Sequence, residues 1–136
     1  MNDKTRVFNC DCFPAMRETP DKFYELAIVD PPYGLGEGQN RVNQRARSTE
    51  KWNGARPPVY GGGEWDTNTP NSEYFTELTR VRKNQIIWGA NHFGFMPPSS
   101  AWIVWFKKRL DEVNDFSDAE LAYSSFKTGC RLFHFP

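Results

Sequence analysis

Histidine and cysteine are both scarce in this sequence, with two and three copies in 136 residues. Cys10, Cys12 and Cys130 are odd in number and lack metal-ligand spacing. That pattern speaks against a disulfide framework and for reduced thiols acting as small buried apolar groups in an intracellular protein. His92 and His134 stand apart, so no metal is expected. No run approaches the roughly eighteen apolar residues of a membrane span. The start, Met1-Asn2-Asp3-Lys4-Thr5-Arg6, has no apolar leader core behind it. Neither membrane insertion nor secretion is expected, and the location is read as cytoplasmic. There is no internal repeat, and charge of one sign has no excess, with 17 basic against 17 acidic side chains. This balance excludes a dedicated basic coat for nucleic acid but leaves room for a local basic strip.

Aromatics, by contrast, are plentiful: eleven Phe, five Trp and five Tyr. They supply enough apolar surface to offset the ordering entropy of one compact domain. Thr5 to Cys10 reads as a short strand, and Phe13 to Glu18 as a helical turn before Pro20. Glu25-Leu26-Ala27-Ile28-Val29 is almost wholly apolar, which predicts a strand buried on both faces of a parallel sheet. It stops at Asp30-Pro31-Pro32-Tyr33-Gly34, where two prolines leave a stiff loop.

Residues 34–70 lose all periodicity and read as a long mobile loop, with Arg41, Arg45, Arg47, Lys51 and Arg56 set against few acids. A cap at Thr69 or Asn71, followed by Tyr74, Phe75, Leu78 and Val81, predicts an amphipathic helix to about Arg82. Gln85 to Gly89 reads as a buried strand and Ala101 to Phe106 as a strongly apolar one, with a short turn or helix over Ala90 to Phe95 between them. Ala119 to Ser125 and Arg131 to Phe135 read as a final strand pair. The alternation predicts an α/β sheet with parallel crossovers and an antiparallel final strand pair.

Asp30-Pro31-Pro32-Tyr33 lies where open α/β sheets bind ligands, beyond the carboxyl end of a strand. By average residue usage, such a tetrapeptide arises by chance roughly once in a few thousand sequences of this size. It resembles the catalytic motif of the amino-group DNA methyltransferases, which methylate the exocyclic amine of adenine or cytosine. Asn9-Cys10-Asp11-Cys12, Gly63-Glu64-Trp65-Asp66, the helix from Tyr74, Ile86-Ile87-Trp88-Gly89-Ala90-Asn91 and Trp102-Ile103-Val104-Trp105 are similar to successive segments of that family.

The resemblance implies a partial Rossmann-like methyltransferase sheet. It also implies S-adenosylmethionine as donor, double-stranded DNA as substrate, and adenine as target because the first motif residue is aspartate. Asp30, Pro31, Pro32 and Tyr33 are then the catalytic residues. An exocyclic amine is a poor nucleophile because its lone pair is delocalised into the ring. Acceptors fixed at the Asp30 carboxylate and the Pro31 carbonyl would draw its two hydrogens and free that pair. Tyr33 would stack on a base swung out of the duplex, or pack as an ordinary aromatic.

Other residues carry two readings each. Asp11 and Asp30 are the residues expected at the donor, with Asp11 facing its adenosine part, or Asp11 has a helix-capping or turn role. Arg41, Arg45, Arg47 and Lys51 grip DNA phosphates or lie on a solvated loop. Trp88 and Asn91 line a cofactor pocket, or Trp88 is core.

The family's Gly-rich turn between strand and helix, which holds the donor, has no counterpart. Gly34-Leu35-Gly36-Glu37-Gly38 and Gly61-Gly62-Gly63 both lack the strand and helix context. No segment reads as a target-recognition region. Residues 1–136 are therefore expected to be the catalytic-motif portion of a truncated or split enzyme. With its donor half missing, the strand ending at Val29 would lie at an edge that needs its own first segment, a second copy or a second chain beside it. The alternatives are a non-catalytic protein of the same fold that binds DNA or a partner chain, and a methyltransferase acting on nucleotides or RNA bases.

Overall fold

A computed structural model of the chain describes residues 5–36, 66–107 and 117–135. They form α1 (Cys12–Glu18), β1 (Tyr24–Val29), α2 (Ser72–Val81), β2 (Arg82–Trp88), a 3₁₀ turn (Ala90–His92), β3 (Ile103–Phe106), β4 (Ala119–Ser124) and β5 (Arg131–His134).

Both helices begin at side-chain caps. Asp11 accepts the Phe13 N–H at 2.9 Å, and Asn71 accepts the Tyr74 N–H at 3.0 Å, each satisfying a donor that the first helical turn leaves open. In α2, Glu73 in the first turn and Arg80 in the last complement the helix dipole, while Phe75, Leu78 and Val81 form a buried stripe. Arg80 ties the two helices together. Its guanidinium donates to the carbonyls of Met16 and Thr19, both at 2.8 Å, and pairs with Asp21 and Glu77, both at 2.7 Å. Hydrogen bonding to Arg80 holds the Glu77 carboxyl below the usual carboxylate range.

The sheet is five-stranded and mixed, in the order β1-β2-β4-β3-β5. β1 and β2 are parallel, with Val29 opposite Ile87, as the expected crossover through α2 requires. β4 is antiparallel to both β2 and β3. The expected final strand pair does not form: β5 pairs instead with β3, in parallel, setting Phe133 opposite Trp105. The linking residues 125–130 need to step over only one strand, about 10 Å at the usual spacing, which six residues span easily. Apolar β3 thereby gains a neighbour on each edge. β2 starts at Arg82, before its apolar run, because its ladder with β1 extends to Tyr24 and Arg82.

Both helices lie on one face of this sheet. Met16, Phe75, Leu78, Val81, Ile87, Ala90, Phe93 and Tyr123 make the core, with Ala27 and Val29 packed beside it. Full burial of a side chain such as Leu78 or Ile87 stabilises the fold by about 1.5–3 kcal/mol relative to exposure.

Strand alternation sends Leu26, Ile28, Ile86, Trp88, Trp105 and Phe133 to the opposite face, which no described helix covers. The prediction that β1 is buried on both faces is thus corrected, since Ile28 is 62% exposed. β1 ends the sheet, and its helices stand on one side only. Thr5 to Cys10 is no strand either, and Val7 is 89% exposed. Its two large apolar residues, Val7 and Phe8, are adjacent and would point to opposite faces of an extended chain, too little on either to bind an edge. All three cysteines are exposed rather than buried, two flanking the cap at Asp11 and one in the turn before β5. Among the described residues no helix is long and apolar enough to cross a membrane, and no cluster of ligating side chains could hold a metal.

Candidate functional site

Because β1 and β2 are adjacent and parallel, their carboxyl ends emerge side by side. Asp30 to Tyr33 leave one end; Gly89, Asn91 and His92 leave the other. Pro31 is buried and Pro32 half-buried, so the corner is anchored as well as stiff.

Tyr33 is held at every part of the residue. Its hydroxyl donates to Asp30 Oδ1 at 2.5 Å, and its N–H donates to Asp66 Oδ1 at 2.8 Å. Its ring lies nearly parallel to His92, with centroids 4.9 Å apart and 14° between planes, and meets Phe93 edge-on. Beneath the ring is Gly89, at φ 63° and ψ 18°. A Cβ there would come within 2.0 Å of Tyr33 Cε1, so the seat requires glycine both for its left-handed backbone and for its missing side chain. Burial, then the bond to Asp30 and that residue's charge, push the Tyr33 hydroxyl well above the usual tyrosine range. It remains a hydrogen-bond donor at neutral pH and does not serve as a base.

Asp66 closes the corner from 33 residues away in sequence. Its side chain is buried, and the same Oδ1 that accepts the Tyr33 N–H accepts the Gly34 N–H at 2.9 Å. Its backbone carbonyl accepts the Gly36 N–H at 2.9 Å. Gly34 and Gly36 both have positive φ, which lets the chain turn back over Asp66.

The remaining predicted residues sit as follows. Asp11 acts as the cap of α1. Arg41, Arg45, Arg47 and Lys51, with Arg56 and most of the predicted mobile loop at 34–70, lie outside the described residues. Trp88 is half-buried on the helix-free face, its ring 6.1 Å from that of Trp105, and so is not part of the core. Asn91 is exposed in the 3₁₀ turn. His92, isolated in the sequence, proves to stack on Tyr33.

Sequence reasoning named none of Asp66, Gly89 and His92 as a site residue, although Asp66 and Gly89 lie in segments similar to the family. A glycine after a strand, as at Gly89, also marks close approach of another group.

No Gly-rich turn between a strand and a helix occurs among the described residues, and Asp11, with one oxygen on its helix cap, is exposed. Two open grooves, of about 530 Å³ beside Ser99 and Lys127 and about 470 Å³ beside Phe93 and Met96, are lined by neither Asp30 nor Tyr33. What the corner offers chemically is an exposed carboxylate preset beside a rigid Pro-Pro backbone and an aromatic ring. Searches against models of known protein families and against curated proteins gave no match.

Proposed function

We propose that Asp30 and the Pro31 carbonyl bind the exocyclic amine of a base swung out of double-stranded DNA, most favourably adenine. This chain then carries the catalytic-motif portion of an S-adenosylmethionine-dependent DNA methyltransferase. The observation that supports this reading above all is the place of Asp30-Pro31-Pro32-Tyr33, at the joint carboxyl ends of two parallel strands with the carboxylate exposed. The Tyr33 hydroxyl occupies one lone pair of Asp30, and a carboxylate has about four, so acceptor capacity for an amine hydrogen remains. Two fixed acceptors on one amine would localise its lone pair without removing a proton. A base docked on Tyr33 needs a part of the ring that neither His92 nor Gly89 covers, or must displace the His92 ring.

The test is labelled methyl transfer from S-adenosylmethionine to unmethylated duplex DNA, with Asp30→Ala as control. The variant is expected to lose about 10²–10³-fold in turnover, because Asp30 is exposed and acts electrostatically, and to stay folded with about 1–3 kcal/mol lost along with the Tyr33 hydroxyl bond. Equal turnover would reject the assignment. Absence of donor binding in calorimetry at millimolar donor would reject catalysis by this chain alone.

A second reading, a non-catalytic protein of the same fold that docks on a partner chain, has one observation in its favour. The sheet face that no described helix covers carries Leu26, Ile28 and Phe133, each at least 41% exposed.

A further inference from the structure

We infer that Asp66 is the positioning residue of this site, a side chain that touches no substrate but presets the Asp30–Tyr33 turn; as a role in catalysis, this rests on the reading just given. Consecutive backbone N–H groups in a turn converge on one atom where the turn forms an anion-binding nest. Here those of Tyr33 and Gly34 both end on Oδ1 of Asp66, at 2.8 and 2.9 Å, and the Gly36 N–H ends on the Asp66 carbonyl. A carboxylate buried to 4% exposure is costly unless its oxygens are hydrogen-bonded, and bonds from backbone N–H to a charged acceptor are among the stronger kind.

The clamp acts just past the two groups proposed to hold the amine. Pro31 and Pro32 fix φ between Asp30 and the clamped Tyr33 and Gly34, and the Tyr33 hydroxyl holds the Asp30 carboxylate, so that carboxylate and the Pro31 carbonyl have little freedom left. Such rigidity matters to a reaction that depends on aim, where a misplacement of about 1 Å can cost about 100-fold in rate.

The experiment compares Asp66→Ala and Asp66→Asn in the full chain, by backbone amide exchange and by labelled methyl transfer to duplex DNA. In Asp66→Ala the Tyr33 and Gly34 amides are expected to exchange freely while those of Val81 and Ile87 keep their protection. Turnover should fall about 10- to 100-fold with KM for DNA within about threefold. Asp66→Asn retains an acceptor oxygen of the same shape and should restore protection and most of the turnover. Wild-type protection and turnover in Asp66→Ala would overturn the inference, as would a loss of turnover that follows a loss of core protection. If the wild-type chain transfers no methyl group, the functional reading fails separately. The exchange data then still decide the clamp: protection of Tyr33 and Gly34 that depends on Asp66 supports it, and protection independent of Asp66 overturns it.

Discussion

Replacing Gly89 by alanine would put a Cβ 2.0 Å from Cε1 of Tyr33, 2.4 Å from Cζ and 2.6 Å from Cδ1. Two costs follow, and they are separable. At φ 63° an alanine costs about 1–2 kcal/mol for the left-handed backbone alone. The clash adds about 1–3 kcal/mol, the usual penalty of overpacking. If the ring swings away instead, the loss is the hydroxyl bond to Asp30 and the stack on His92, which together fall in a similar range. Gly89→Ala should therefore destabilise the chain by about 2–5 kcal/mol in urea unfolding. A double-mutant cycle with Tyr33→Ala isolates the second cost. Without the ring, Gly89→Ala should cost only the backbone term, leaving a coupling of about 1–3 kcal/mol. Gly89→Asn, which tolerates the left-handed region but still carries a Cβ, should retain the coupling and lose part of the backbone term. An additive cycle, within about 0.5 kcal/mol, would show that Tyr33 is not seated on Gly89 and would refute the reasoning.

Asn71→Ala removes the cap of α2 and should cost about 1 kcal/mol in thermal unfolding; no change would mean that the Tyr74 N–H finds another acceptor. Burial, and then the Cys12 thiol beside it, push the Tyr74 hydroxyl up to about 12. Because the folded value lies above the unfolded one near 10, its contribution is fully present below about pH 10 and is lost as pH rises through about 12. Tyr74→Phe should flatten that alkaline decline in urea midpoints without abolishing it, since Tyr33 is shifted in the same direction, and an unchanged slope would contradict the burial argument. Leu26→Lys with Ile28→Lys, on the bare face of the edge strand, should change stability by no more than about 0.5 kcal/mol. A large loss of stability would show that the face is buried within the chain.

Much of the fold was legible because its signals are local. The stripe Phe75, Leu78 and Val81 behind a polar cap can only be an amphipathic helix, and the apolar runs ending at Val29, Trp88 and Phe106 are strands in the structure. What those runs face was not legible. Ile28 has the hydropathy of a residue buried on both sides, yet it is 62% exposed on a face that no described helix covers, because hydropathy states what a residue would gain from cover and not whether cover is there. Likewise, nothing local to Arg131–His134 says that β3 rather than β4 is its neighbour.

The sequence by itself determined the elements other than the expected strand at Thr5 to Cys10, and the stiff corner at Asp30-Pro31-Pro32-Tyr33, since periodicity, capping and the fixed φ of proline act within a few residues. Only the tertiary structure decided that Asp66 clamps the corner, that Gly89 makes room for Tyr33 and that His92 stacks on it. Those three partners come from other stretches of chain, and their roles exist only once β1 and β2 lie side by side in register.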